Sequence, residues 1–233
     1  MGTPVTFVLL HGAASDSWYW HLVAPALREA GHEVVAVDLP CDDPEAGLDA
    51  HTEAVVTAIG GRGEVVVVAQ SLAGLVAPLV AARLPDRVVM VVMVAAMIPA
   101  PGETGGAWWA ATGQQEAQRA ADLAAGRDPD APFDPFVTFL HDVPPDVAAA
   151  SAEHTRDQTS RVFDDPWPLP SWPAVPTRVL LCRDDRLFPA PFLRELSRAR
   201  LGLTPDELPG GHLPALAQPK ALTEALLAYV GEP

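Results

Sequence analysis

Three side chains far apart in the chain could together cleave an acyl bond: Ser71, Asp185 and His212. A serine hydroxyl is a weak nucleophile until a base takes its proton, and a histidine serves as that base when a carboxylate fixes its tautomer. Ser71 lies within the run Val65-Val66-Val67-Val68-Ala69-Gln70-Ser71-Leu72-Ala73-Gly74-Leu75. The valines read as a strand buried on both faces, and residues 72–84 read as a helix that stops at Pro85. A serine on the sharp turn between them is lifted off the sheet above the helix N-terminus, as a nucleophile elbow requires. Positions two before and two after that serine must be small. Ala69 and Ala73 stand there in place of glycine and Gly74 comes one place later, so Ala73 is expected to crowd the turn. A plainer reading is a serine that only caps a helix.

Two further segments favour chemistry. His11-Gly12-Ala13-Ala14 follows an apolar run at residues 5–10, and its small residues let backbone N–H groups approach a substrate oxygen. The N–H groups of Ala13 and Leu72 would form an oxyanion hole. His11 itself is expected to hold that loop by hydrogen bonding, and Asp16 to brace it. Arg183-Asp184-Asp185-Arg186 follows a strand at 177–182, and His212 follows Pro209-Gly210-Gly211 after a short strand at 206–208. On spacing alone either aspartate could be the acid. All three candidates thus sit at the carboxyl ends of strands, where open α/β sheets bind ligands, and their order Ser, Asp, His is the one expected of such a fold.

The elements that must position them alternate. Strands are expected at 5–10, 34–37, 65–69, 88–95, 177–182 and 206–208, with helices at 18–30, 48–59, 72–84, 191–200 and 219–230. Such alternation predicts an α/β fold with a mostly parallel central sheet and helices on both faces. After Ala96 the texture turns rich in Pro, Ala and Trp, with helical stretches at 114–125 and 145–154 and no convincing strand. The chain therefore divides into a core of residues 1–96 and 173–233 and an inserted helical cap of residues 97–172. Trp108, Trp109, Trp167 and Trp172, with Phe133, Phe136 and Phe139, suggest an apolar lid. Trp108, Trp109, Phe136 and Trp167 are the expected pocket residues, although packing of cap on core explains them as well.

Composition excludes several classes. The 233 residues are 49% hydrophobic, with a formal net charge of −15, fourteen Arg and one Lys (Lys220). Nucleic acid and anionic membranes would be repelled, since affinity for them rests on clustered Lys and Arg. No apolar run approaches the ~20 residues of a membrane span, and Met1–Leu10 reads as a strand without an export signal. Two cysteines, Cys41 and Cys182, are too few for a disulfide framework and lack metal spacing. The cytoplasm is the expected compartment, and no metal or organic cofactor is expected. Asp38 lacks the Gly-x-Gly-x-x-Gly that would make it a ribose-binding acid. His141-Asp142 and His154 lack zinc-ligand spacing, while His32 and His51 are expected on the surface.

Several of these segments resemble a known family. Phe7-Val8-Leu9-Leu10-His11-Gly12-Ala13, Gly31-His32-Glu33-Val34-Val35-Ala36-Val37-Asp38-Leu39 and Ala69-Gln70-Ser71-Leu72-Ala73-Gly74 resemble the small α/β-hydrolases related to plant methylesterases and hydroxynitrile lyases. Cys182-Arg183-Asp184-Asp185-Arg186-Leu187-Phe188-Pro189 is similar to that family's Gly-x-x-Asp-x-x-x-Pro acid loop, with Cys182 for the glycine. Gly210-Gly211-His212-Leu213-Pro214 is similar to its histidine segment. The resemblance implies the α/β-hydrolase fold and places the acid on Asp185. Lyases of the family carry Thr in the oxyanion loop and Lys beside the histidine. Gly12 and Leu213 stand there, so the resemblance implies a carboxylesterase acting on a small, largely hydrophobic ester. Another reaction on the same triad (acyl transfer or C–C cleavage) and a ligand-binding protein with weak turnover are the alternatives.

Overall fold

The computed structural model describes residues 4–231; the reading of Met1–Thr3 lies outside them. Strands β1 (Thr6–Leu10), β2 (Glu33–Val37), β3 (Val65–Gln70), β4 (Val88–Val94), β5 (Thr177–Cys182) and β6 (Asp206–Leu208) form one parallel sheet in the order β2-β1-β3-β4-β5-β6. The order reverses between β1 and β3, the switch point at which such sheets open a crevice above their carboxyl ends. In the register there, Leu10 lies beside Ala69. The loop after β1 and the turn after β3 therefore emerge side by side.

Successive strand residues face opposite ways, and both faces are covered. Val8, Val67 and Ala69 pack toward α2 (Leu48–Ile59), α3 (Ala77–Arg83) and a later helix, Ala190–Leu201, in one core. Phe7, Leu9, Val66 and Val68 join Trp20, Leu27, Leu222 and Leu226 in the other. The helix expected at 18–30 is instead a 3-10 turn, Ser17–Trp20, and a separate helix, α1 (Ala24–Glu29), with Pro25 in its first turn. The one expected at 72–84 opens as a 3-10 turn, Ser71–Leu75, before α3, whose first turn contains Pro78. Proline has no N–H to donate and clashes with the carbonyl four residues back, so an uninterrupted helix cannot run through either position.

Between β4 and β5 lie five short helices, Gly105–Thr112, Gln114–Ala124, Pro135–Thr138, Pro145–Ser151 and Arg161–Asp164. Their entry and exit meet at an antiparallel bridge between Thr104 and Pro166. Arg200, on the helix after β5, clamps this neck by pairing with Glu103 and donating to the Ile98 carbonyl at 2.5 Å. His51, expected on the surface, is buried on α2, where its Nδ1 lies 2.9 Å from the Gly47 carbonyl. His32 is half-buried, accepting from the Val5 N–H. Among the described residues no helix is long and apolar enough to cross a membrane.

Candidate active site

The β3 turn gives Ser71 a φ of +53°, a left-handed conformation that is costly for a residue with a Cβ. Neighbouring chain must hold it there. Met97 donates its N–H to the Ser71 carbonyl at 3.0 Å. Gly74 lies so close to this stretch that a Cβ on it would strike the Met97 carbonyl oxygen and come within 3.0 Å of Met93 Cε. The position that must be glycine is thus Gly74. Ala73, expected to crowd the turn, is accommodated with its methyl buried.

His212 Nε2 lies 3.0 Å from Ser71 Oγ, and His212 Nδ1 lies 2.8 Å from Asp185 Oδ2. The side chains of His212 and Asp185 are almost wholly buried. The other Asp185 oxygen accepts the N–H groups of Leu187 and Phe188 at 2.8 and 2.9 Å, which fixes the carboxylate's direction. With the Asp185 carboxyl oxygen accepting from Nδ1–H, Nε2 is left as the acceptor for the serine hydroxyl. Asp184 points elsewhere: its Oδ2 accepts the Gly210 N–H at 3.0 Å and so holds the histidine loop. Asp142 and Gln70 hold the same loop, through the Gly211 N–H at 2.6 Å and the His212 carbonyl at 2.9 Å. Sequence reasoning passed over Gln70 and gave Asp142 no such role, because a loop clamp carries no motif.

On the facing loop, His11 does what its sequence position suggested. Its Nε2 accepts the Leu39 N–H at 3.0 Å, leaving Nδ1 to donate to the Gly12 carbonyl at 2.8 Å. Burial lowers its pKa and keeps the ring neutral. A Cβ on Gly12 would strike the Gln70 side-chain oxygen and lie 2.9 Å from Ser71 Cβ, so glycine lets this loop approach the elbow without displacing Gln70. Ala13 and Leu72 line one cavity with Ser71 and His212. The Leu72 N–H lies in the first turn of its helix and has no intrahelical acceptor.

That cavity encloses about 500 Å³. Trp109 lines it as expected, together with Phe133 and Phe139. Trp108, Trp167 and Phe136 do not. Trp108 and Trp167 are buried, their indole N–H groups donating to the carbonyls of Ile98 and Leu75 at 2.9 and 3.1 Å. A buried indole needs an acceptor: Trp167 finds its own on the Ser71–Leu75 turn, and Trp108 finds one within residues 97–172 while its ring packs on Phe188 and Phe192. Phe136 is exposed on the outer surface. His154 lines the cavity, its ring stacked on Trp18 and its Nδ1 2.9 Å from Asp16 Oδ2. Among the described residues no group of three or more His, Cys, Asp or Glu is placed to hold a metal ion.

Comparison with known proteins follows the same lines. The sequence profile of the alpha/beta hydrolase family matches residues 7–225. An Oryza sativa protein named "Probable esterase PIR7A" is 36% identical over 107 residues, 42% of this chain and 41% of the relative. The (S)-hydroxynitrile lyase of Manihot esculenta is 33% identical over 103 residues, 40% of each chain. The aligned segments thus span about two fifths of these relatives. The crystal structure of polyneuridine aldehyde esterase superposes with a TM-score of 0.79 at 20% identity, covering 97% of this chain and 99% of that one.

Proposed function

Starting from the fact that the chain belongs to the alpha/beta hydrolase family, we propose that it is a serine esterase cleaving a small, largely hydrophobic carboxylic ester. His212 Nε2 takes the proton from Ser71 Oγ as that oxygen attacks the ester carbonyl. The N–H groups of Ala13 and Leu72 receive the negative charge on the carbonyl oxygen. Asp185 keeps the proton on Nδ1 and stabilises the imidazolium. The imidazolium then protonates the departing alcohol, leaving an acyl group on Ser71. Water repeats the sequence and releases the acid. No metal or organic cofactor takes part.

The observation that supports this reading best is the hydrogen-bonded chain Ser71–His212–Asp185 on the floor of an apolar cavity. Phe139 and Phe188 lie with ring centroids 5.5 and 5.1 Å from the His212 ring and limit water around the base. Leu213 lines the cavity beside His212 and offers no charge to a leaving cyanide, which favours hydrolysis over the lyase reaction of one relative. Residues 97–172 act as a cap that roofs the site and selects the acyl or alcohol group through Trp109, Phe133 and Phe139. The partner is a small uncharged molecule, and the working compartment is the cytoplasm. Hydrolysis of p-nitrophenyl acetate and butyrate by the native protein, abolished in Ser71→Ala, is the expected result. Equal turnover by both proteins would overturn the assignment.

A further inference from the structure

The oxyanion loop is held at its near end by the core and at its far end by the insertion. His11 secures Gly12 from the core side. Beyond Gly12, Ala14 has a φ of +54°, unfavourable for a residue with a Cβ. Both of its backbone polar groups are bound by one segment of the insertion, residues 154–159. The Ala14 N–H donates to Gln158 Oε1 at 3.2 Å, and the Ala14 carbonyl accepts the Arg156 N–H at 3.2 Å. Further contacts fasten this segment to the core around the loop. Thr159 donates its N–H to the Cys41 carbonyl at 2.9 Å, Arg156 pairs with Asp42, and His154 meets Asp16. Gln158 is steadied in turn by its own Nε2, which donates to the Thr159 carbonyl at 3.1 Å.

The Ala14 N–H shares its peptide plane with the Ala13 carbonyl, so an acceptor fixed on that N–H sets the backbone immediately after the Ala13 donor. We propose that Gln158 is a positioning residue for the oxyanion hole, so that the insertion supplies part of the catalytic framework as well as a roof. Without the acceptor, the strained Ala14 conformation relaxes and the Ala13 N–H swings away from the developing negative charge. The ground-state ester, held by apolar walls, is bound as before. The inference rests on Ser71 as the acyl carrier.

The test compares Gln158→Met, which keeps length and removes the acceptor, with Gln158→Glu, which keeps an acceptor oxygen. For p-nitrophenyl butyrate, Gln158→Met should lower kcat about 10- to 100-fold, below the full loss of an oxyanion donor, with KM changed less than about threefold. Inhibition by an alkyl trifluoromethyl ketone, whose adduct places an oxyanion in the hole, should weaken in parallel with kcat. Gln158→Glu keeps the acceptor for Ala14 but sets a carboxylate oxygen against the Thr159 carbonyl, so it should recover part of the activity and lose less kcat than the variant without an acceptor. Should Gln158→Met fail to fold, Gln158→Asn is read instead: one methylene short, it keeps polarity but cannot reach Ala14, and the same kcat loss is expected. Unchanged kcat in the variant read, or equal losses in it and Gln158→Glu, overturns the proposal. If Ser71→Ala retains the native rate, it is the esterase reading that has failed; if Ser71→Ala is inactive and Gln158→Met is not impaired, only this inference falls.

Discussion

Gly74→Ala sets two effects of opposite sign against each other. Gly74 has no left-handed φ to protect, so alanine there would reduce the entropy of the unfolded chain and stabilise the protein by about 0.4–1 kcal/mol. The added Cβ, however, meets the Met97 carbonyl oxygen, which is backbone, and Met93 Cε at 3.0 Å. Overpacking of a filled core costs about 1–3 kcal/mol, and contact with backbone belongs at the upper end. A net loss of about 2 kcal/mol follows, or a Tm lower by about 4–8 °C for a domain of this size. The same shift pulls Met97 from the Ser71 carbonyl, so esterase kcat should fall with stability. Ala73→Gly, which opens space at the neighbouring position, should leave the elbow in place and lower Tm less. Thermal unfolding followed by circular dichroism, with p-nitrophenyl butyrate turnover on the same samples, reads both quantities. A Gly74→Ala variant with unchanged or raised Tm would show that the entropy gain wins, and would refute the packing argument.

Asp185→Asn should reduce kcat by about 10⁴-fold by presenting the wrong partner to Nδ1, whereas Asp184→Asn, which loosens only Gly210, should cost less than about tenfold; steady-state kinetics of the pair tests the assignment. Trp109→Ala should change relative kcat/KM across esters of increasing acyl length, while the exposed Phe136→Ala should not, and a matching shift for Phe136 would contradict the cavity lining. Burial lowers the pKa of both His11 and His51 in the folded protein. The folded state therefore binds fewer protons than the unfolded one below the ordinary histidine value of about 6.5. Their contribution to stability is complete above that pH and is lost as pH falls through it. Tm should drop on going from pH 7.5 to 5, with a shallower slope in His51→Leu; an identical slope would exclude His51 as a contributor.

Much of this arrangement was legible in the residues themselves. Four consecutive valines before Ser71 read as a strand covered on both faces, and Val65–Gln70 is buried throughout. Each of Ser71, Asp185 and His212 follows a strand, which puts them at one sheet edge, where the structure brings them together. Spacing does not choose between Asp184 and Asp185, because adjacent residues in a loop point to different partners; the resemblance of the acid loop does, and Asp185 is the one that reaches His212. Regular apolar spacing runs through Pro25 and Pro78 and predicts helices at 18–30 and 72–84, but the missing proline N–H breaks both. The cap was harder. Aromatic density marks burial without telling a pocket wall from an anchor, and Trp108 and Trp167 are anchors whose indoles find buried backbone carbonyls. Gln70 and Gln158 act through single hydrogen bonds to backbone more than a hundred residues away, which leaves no periodicity or motif to read.

The central claim is that Ser71 is the nucleophile, activated by His212. Incubation of the native protein with a fluorophosphonate, followed by intact mass and peptide mapping, tests it most directly. The account predicts one phosphonyl adduct, carried by Ser71, absent from Ser71→Ala and strongly slowed in His212→Gln. An unlabelled native protein, or an adduct on any other residue, would contradict it.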